Sequence, residues 1–201
     1  VKTDHLARSA RLAELDDTEF GVRLLAATPT HENRDSALLH RWARTATEFG
    51  AAMAAEPLGP PEPPRVVERT GGLDPKRLLM ARYTSRPATV ELYTDTVAYA
   101  ERLIDELGWR HWYPAGSVRR AALDHEVLHC RLHRGPERTA LRHALDHTVL
   151  RAGRWRVRGH VAGAEELAAH GYAGALRGLG RTPLLLTAAL AEALRPHPEK
   201  N

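Results

Sequence analysis

Cysteine is almost absent from this sequence: one residue, Cys130, in 201. A lone thiol has no intramolecular partner, which excludes a disulfide scaffold. Long apolar runs are also lacking. No stretch approaches the roughly 18 consecutive apolar residues of a membrane-spanning helix. The opening residues, VKTDHLARSARLAEL, carry charges throughout and have no apolar h-region of a secretory signal. The expected compartment is therefore a reducing cytoplasm, with no membrane partner. Lysine is scarce as well, with 3 residues against 26 arginines and a formal net charge of only +4. An Arg-heavy, Ala-rich chain reports the base composition of its coding DNA more simply than it reports a polyanionic ligand. Phosphate binding needs cations clustered on one face. A nucleic-acid partner is thus not expected from charge.

Histidine is plentiful, at 12 residues, and imidazole is the commonest metal ligand. Its placement depends on the organisation of the chain. Residues 1–56 read as an N-terminal helical segment in two pieces, about 4–15 and 33–55, the second with Leu38, Trp42, Thr45, Phe49 and Met53 near helical spacing. A Pro-rich linker, residues 57–72, follows and begins PLGPPEPP. Residues 73–201 then form the main domain. Asp74-Pro75 predicts a short helix to Arg82, and the alternation in 87–93 predicts a strand. The spacing predicts further helices over 96–107, 118–134, 137–151, 164–176 and 183–195, with Gly108 and Gly135-Pro136 as stops. Residues 109–112 read as a short strand or turn, and 155–161 as extended. The fold class is α+β, helix-rich with a small sheet.

The helix from 118 contains His125-Glu126-Val127-Leu128-His129, an H-E-x-x-H pentapeptide. Residues four apart lie one above the other on a helix, so both imidazoles can reach a single Zn²⁺ at about 2.0–2.1 Å. Glu126 is rotated about 100° from His125, which puts it beside the ion as a base. Shuffling this composition yields the pentapeptide roughly 0.06 times per chain. Its plain alternative is a helix with two surface histidines.

A third ligand is required. The extension H-E-x-x-H-x-x-G-x-x-H fails, because Leu132 and Gly135 occupy its Gly and final His positions. His133 lies about 12 Å along the axis from His125, too far for one ion. His143 and His147 form another i,i+4 pair without an acid between them and read as solvated or structural. Cys130 is turned from the histidine face and reads as a core thiol. Downstream, the predicted helix containing Glu165, Glu166 and His170 offers a carboxylate that would complete a His₂Glu site with water in the fourth position.

The pattern His125-Glu126-x-x-His129 followed by Glu166-x-x-Ala169-x-x-Tyr172-Ala173 resembles the active-site motifs of the ImmA/IrrE-like zinc metallopeptidases, in which H-E-x-x-H precedes E-x-x-A-x-x-F-A. The resemblance covers about residues 73–180. It implies a zincin-like metallopeptidase domain with Zn²⁺ on His125, His129 and Glu166, the last being the Glu that opens the second motif. Glu165 then falls out of register.

The expected chemistry is hydrolysis of a peptide or protein substrate by zinc-activated water, with Glu126 as general base. His170 has three readings: it holds Glu166, it stabilises the oxyanion as a catalytic residue, or it is a core histidine. Tyr172 and Arg177 are weaker oxyanion candidates, and Asp124 reads as a surface carboxylate or a partner for an imidazole. The strand near Thr89–Tyr93 is expected to be the sheet edge along which an extended peptide lies. The alternative function is a zinc-binding regulatory protein without turnover, including a DNA-associated one with residues 1–56 as its nucleic-acid module.

Overall fold

The computed structural model describes residues 2–55, 64–74 and 77–195. Three helices open the chain: α1 (Lys2–Leu12), α2 (Asp17–Ala26) and α3 (Ser36–Ala55). The separate helix α2 is not foreseen in the sequence reading. Its signal is nonetheless present: Asp16 caps the helix, accepting from the Thr18 N–H at 2.8 Å, with Glu19 three residues on.

The first part of the expected linker 57–72, residues 57–63, lies outside the described residues. Its last part does not: Arg65–Arg69 is strand β1. The expected short helix from Asp74 to Arg82 is replaced by extended chain. β2 (Leu73–Asp74) pairs with β3 (Arg77–Leu78), and β4 (Ala81–Ser85) follows. In β4 the exposure alternates strictly, with Arg82 and Thr84 outward. That period of two, with Tyr83 and Thr84 in the run, suits a strand paired with β5 (Ala88–Tyr93) better than a helix.

The three-stranded sheet has the order β1-β5-β4, with β1 parallel and β4 antiparallel to β5. Strand β5, expected at the edge, is therefore central, and its Val90 and Leu92 are fully buried. The edge beside the helices is β4. After β5 come α4 (Thr94–Leu107), a 3₁₀ turn at Trp109–His111 where a strand or turn was expected, and α5 (Ser117–Arg134). Helix α6 (Glu137–Leu145) stops six residues before the expected 151. Asp146 adopts a left-handed conformation (φ 42°), and the β-branched Thr148 and Val149 continue into β6 (Thr148–Ala152), which pairs with β7 (Trp155–Arg158). Helices α7 (Ala164–Arg177) and α8 (Pro183–Ala193) complete the chain, α8 with Thr182 as its cap and Pro183 in its first turn. The architecture is α+β, helix-rich with small sheets. Among the described residues, no helix is long and apolar enough to cross a membrane.

Two cores form. One joins α2, α3, α5, α6 and α7 through Leu25, Trp42, Leu128, Leu141 and Leu167. The other joins α4, α8 and the start of α5 through Ile104, Tyr113, Val118 and Leu190, with Phe20 of α2. The N-terminal helices thus put their apolar faces into the same interior as the helices that follow. Arg181 adds a tie, donating to Asp17 Oδ1 at 2.6 Å and to the carbonyls of Ala13 and Leu15 at 2.9 and 2.6 Å.

The largest helix contact is α3 on α7. It is close because glycine faces backbone at two points. A Cβ on Gly50 would sit 1.8 Å from the Ala168 carbonyl oxygen, and one on Gly171 would sit 2.2 Å from that of Thr47. Backbone cannot step aside as a flexible side chain does, so the helices must separate. Gly50→Ala is expected to destabilise the fold by about 3 kcal/mol in chemical denaturation, although Ala is the better helix former. Ala52→Ser, an exposed change on the same helix, is expected to cost less than about 0.5 kcal/mol.

Candidate metal centre

Helix α5 presents one face to a cleft of about 600 Å³, with Val118, Ala121, Ala122, His125, Glu126, His129 and His133 along it. Its opposite face carries Leu128 and Leu132, both fully buried in the core. The i,i+4 histidines therefore sit where the helix is held rigidly from behind. Helix α7 crosses α5 with Glu166, His170 and Ala173 facing the same cleft and Leu167, Ala168 and Gly171 facing the interior.

The structure brings the three expected ligands together. His125 Nε2 and His129 Nε2 are 3.0 Å apart; Glu166 Oε1 is 3.1 Å from the first, and Oε2 is 3.1 Å from the second. One ligand atom from each residue can be chosen so that all lie within 4.8 Å of one another, and the group could hold a metal ion. Donors about 2.0–2.1 Å from one tetrahedral ion are spaced by about 3.4 Å, near the 3.0 and 3.1 Å separations found here. Two imidazole nitrogens and one carboxylate oxygen suit a divalent transition ion such as Zn²⁺.

Burial and mutual charge set the protonation of these groups. Burial pulls the His125 pKa down, and His170 beside it adds to the effect. For His129, burial acts in the same direction, but the hydrogen bond and charge of Glu166 outweigh it and raise the pKa. Burial alone would raise Glu166. The three surrounding imidazoles, His125, His129 and His170, instead hold it well below the usual carboxylate range. An ionised carboxylate and a neutral His125 ring are the forms a metal requires, whereas His129, raised by Glu166, would release a proton on metal binding.

His170 Nε2 lies 3.3 Å from Glu166 Oε1, and its ring stands 4.4 Å from that of His125. Its Nδ1 is buried with no hydrogen-bond partner among the described residues. In the neutral tautomer that donates Nε2–H to Glu166, Nδ1 carries a lone pair and has no proton for an oxyanion. The geometry accordingly favours His170 as the group that holds the Glu166 carboxylate; an oxyanion role would need the charged ring.

Glu126 is buried, and its Oε2 accepts the Tyr83 backbone N–H at 2.8 Å. This bond joins α5 to strand β4 across 43 residues, and no sequence signal announces it. By antiparallel alternation, Ala81, Tyr83 and Ser85 turn their backbone groups away from β5, toward the cleft. Cys130 is buried, as expected, and its thiol donates to the Tyr83 hydroxyl at 3.3 Å.

Other candidates take structural places. Arg177 and Asp124 form a two-pronged ion pair, with Arg177 Nη2 2.8 Å from Asp124 Oδ1, joining the end of α7 to α5. Glu165 accepts from Arg138 Nε at 2.9 Å. Tyr172 is buried in the core. His143 lies in the last turn of α6, whereas His147 lies beyond the helix with its ring 4.9 Å from Trp42, so they share no helical face.

Removing Glu166 takes away one of three donors. Glu166→Ala is expected to weaken Zn²⁺ at least about a hundredfold in competitive chelator titrations. His170→Phe, which only frees the carboxylate, is expected to weaken it about tenfold. Comparison of the chain with protein-family models, with curated proteins and with solved structures finds no match in any of the three.

Proposed function

We propose that this protein is a zinc-dependent metallopeptidase with a zincin-like domain of the ImmA/IrrE-like kind. The observation that carries the reading is the meeting of His125, His129 and Glu166 within 4.8 Å, on the floor of a cleft that also holds Glu126 and the edge of β4. Zn²⁺ held there would supply Lewis acidity and an acidified water.

The chain's own residues supply the rest. The Tyr83 N–H fixes one oxygen of Glu126, leaving the other to take the proton from the attacking water and return it to the leaving amine. The Tyr83 N–H is engaged by Glu126, but the outward backbone groups at Ala81 in β4 can pair with an extended peptide, aligning its carbonyl without demanding a sequence. Beyond His125, Val118, Ala121, Met80 and Leu186 give one end of the cleft an apolar lining. His170 keeps the Glu166 carboxylate aimed between the two imidazoles.

The test separates binding from turnover. Purified protein loaded with Zn²⁺ is assayed on a library of quenched fluorescent peptides, with metal content measured in parallel. Glu126→Gln should keep the wild-type zinc content and lose at least about a hundredfold in kcat/KM. Wild-type protein that holds zinc but cleaves no peptide would replace this proposal with the regulatory alternative.

A further inference from the structure

Among the described residues, six large apolar side chains are exposed, and four of them belong to the β6–β7 hairpin: Val149, Leu150, Trp155 and Val157. Their exposures run from 51% at Val157 to 71% at Trp155. The register pairs Leu150 with Val157 and Arg151 with Arg156. Strand alternation then sets Leu150, Trp155 and Val157 on one face and Arg151, Arg156 and Arg158 on the other. Among the described residues the two strands pair only with each other, and both outer edges of this sheet lack a strand partner. A two-stranded hairpin with an uncovered apolar face is marginal by itself.

Its charge is of one sign. Residues 148–158 include Arg151, Arg154, Arg156 and Arg158 and no carboxylate. Among the described residues, Arg151, Arg154 and Arg156 have no ion-pair partner, while Arg158 Nε is 3.3 Å from Asp146 Oδ1. Arg142 and His143 of α6 join Arg156 and Arg158 around an adjoining depression of about 230 Å³. Arginines placed directly opposite one another repel, and an acidic neighbour would turn that cost into attraction. Trp and Arg together are the composition of interface hot spots.

We infer that the β6–β7 hairpin is a docking surface for an acidic, apolar-rich segment of a partner protein, bound as an added strand. Its apolar side chains fill the face of Leu150, Trp155 and Val157, and its carboxylates meet the arginines. A nucleic acid would satisfy the cations but has no counterpart for Leu150 and Val157. A second copy of the chain would bring the same arginines against each other. This surface is separate from the cleft residues and does not rest on the metallopeptidase reading.

The test measures fluorescence anisotropy of a labelled synthetic peptide in which Glu alternates with Val and Leu, titrated with the full chain. Binding is expected, with at least about tenfold weakening in Arg151→Glu/Arg156→Glu and, separately, in Trp155→Ser/Val157→Ser. All four positions are exposed, and circular dichroism checks that the variants fold. The same peptide with Lys for Glu should not bind, and Glu166→Ala should bind like wild type. Absence of peptide binding overturns the inference. So does oligothymidylate that displaces the peptide, or self-association in sedimentation that disappears with Trp155→Ser.

Discussion

The candidate centre depends first on how closely α7 lies against α3. Glu166 and His170 occupy one face of α7, and the opposite face meets α3 where Gly50 and Gly171 leave no Cβ between the backbones. A methyl group at either glycine would push α7 away from its seat and carry the Glu166 carboxylate with it. The ion pairs at the two ends of α7, Glu165 with Arg138 and Arg177 with Asp124, fix its direction. Partly exposed pairs contribute modestly, so the packing is the larger restraint.

That packing brings a half-buried carboxylate against three imidazoles at the cleft. Burying a charge is costly unless it is paired, and here each oxygen of Glu166 faces ring nitrogens at 3.1–3.3 Å. Donors that converge this way have little reorganisation left when a cation arrives. The second restraint is the Tyr83 N–H on Glu126, which couples the sheet edge to the histidine helix. Glu126, the candidate ligands and the strand edge are consequently held in one frame by backbone elements.

Several particulars of the chain were legible before any coordinates. The i,i+4 placement of His125 and His129 and the Glu166–His170 face of α7 follow from helical periodicity, which is a local property. The motif resemblance selected Glu166 over Glu165, and the geometry brings Glu166 to the histidines. Local reading failed where tertiary pairing outweighed propensity. Asp74-Pro75 looks like a helix start, yet the following residues alternate because β5 offers them a partner. Thr89–Tyr93 reads as a strand, but its central rather than edge position is decided by β1, which falls inside what reads as a linker.

What the sequence determined alone was therefore the inventory and its spacing: which side chains share a turn of helix, which faces are apolar, and that two imidazoles can address one cation. Only the tertiary structure decided which carboxylate meets them, which backbone N–H holds Glu126, and which strand edge opens on the cleft. The reason is range. Spacing within a helix is set by 1.5 Å of rise per residue, whereas the 37-residue step from His129 to Glu166 and the 43-residue step from Tyr83 to Glu126 are set by packing alone.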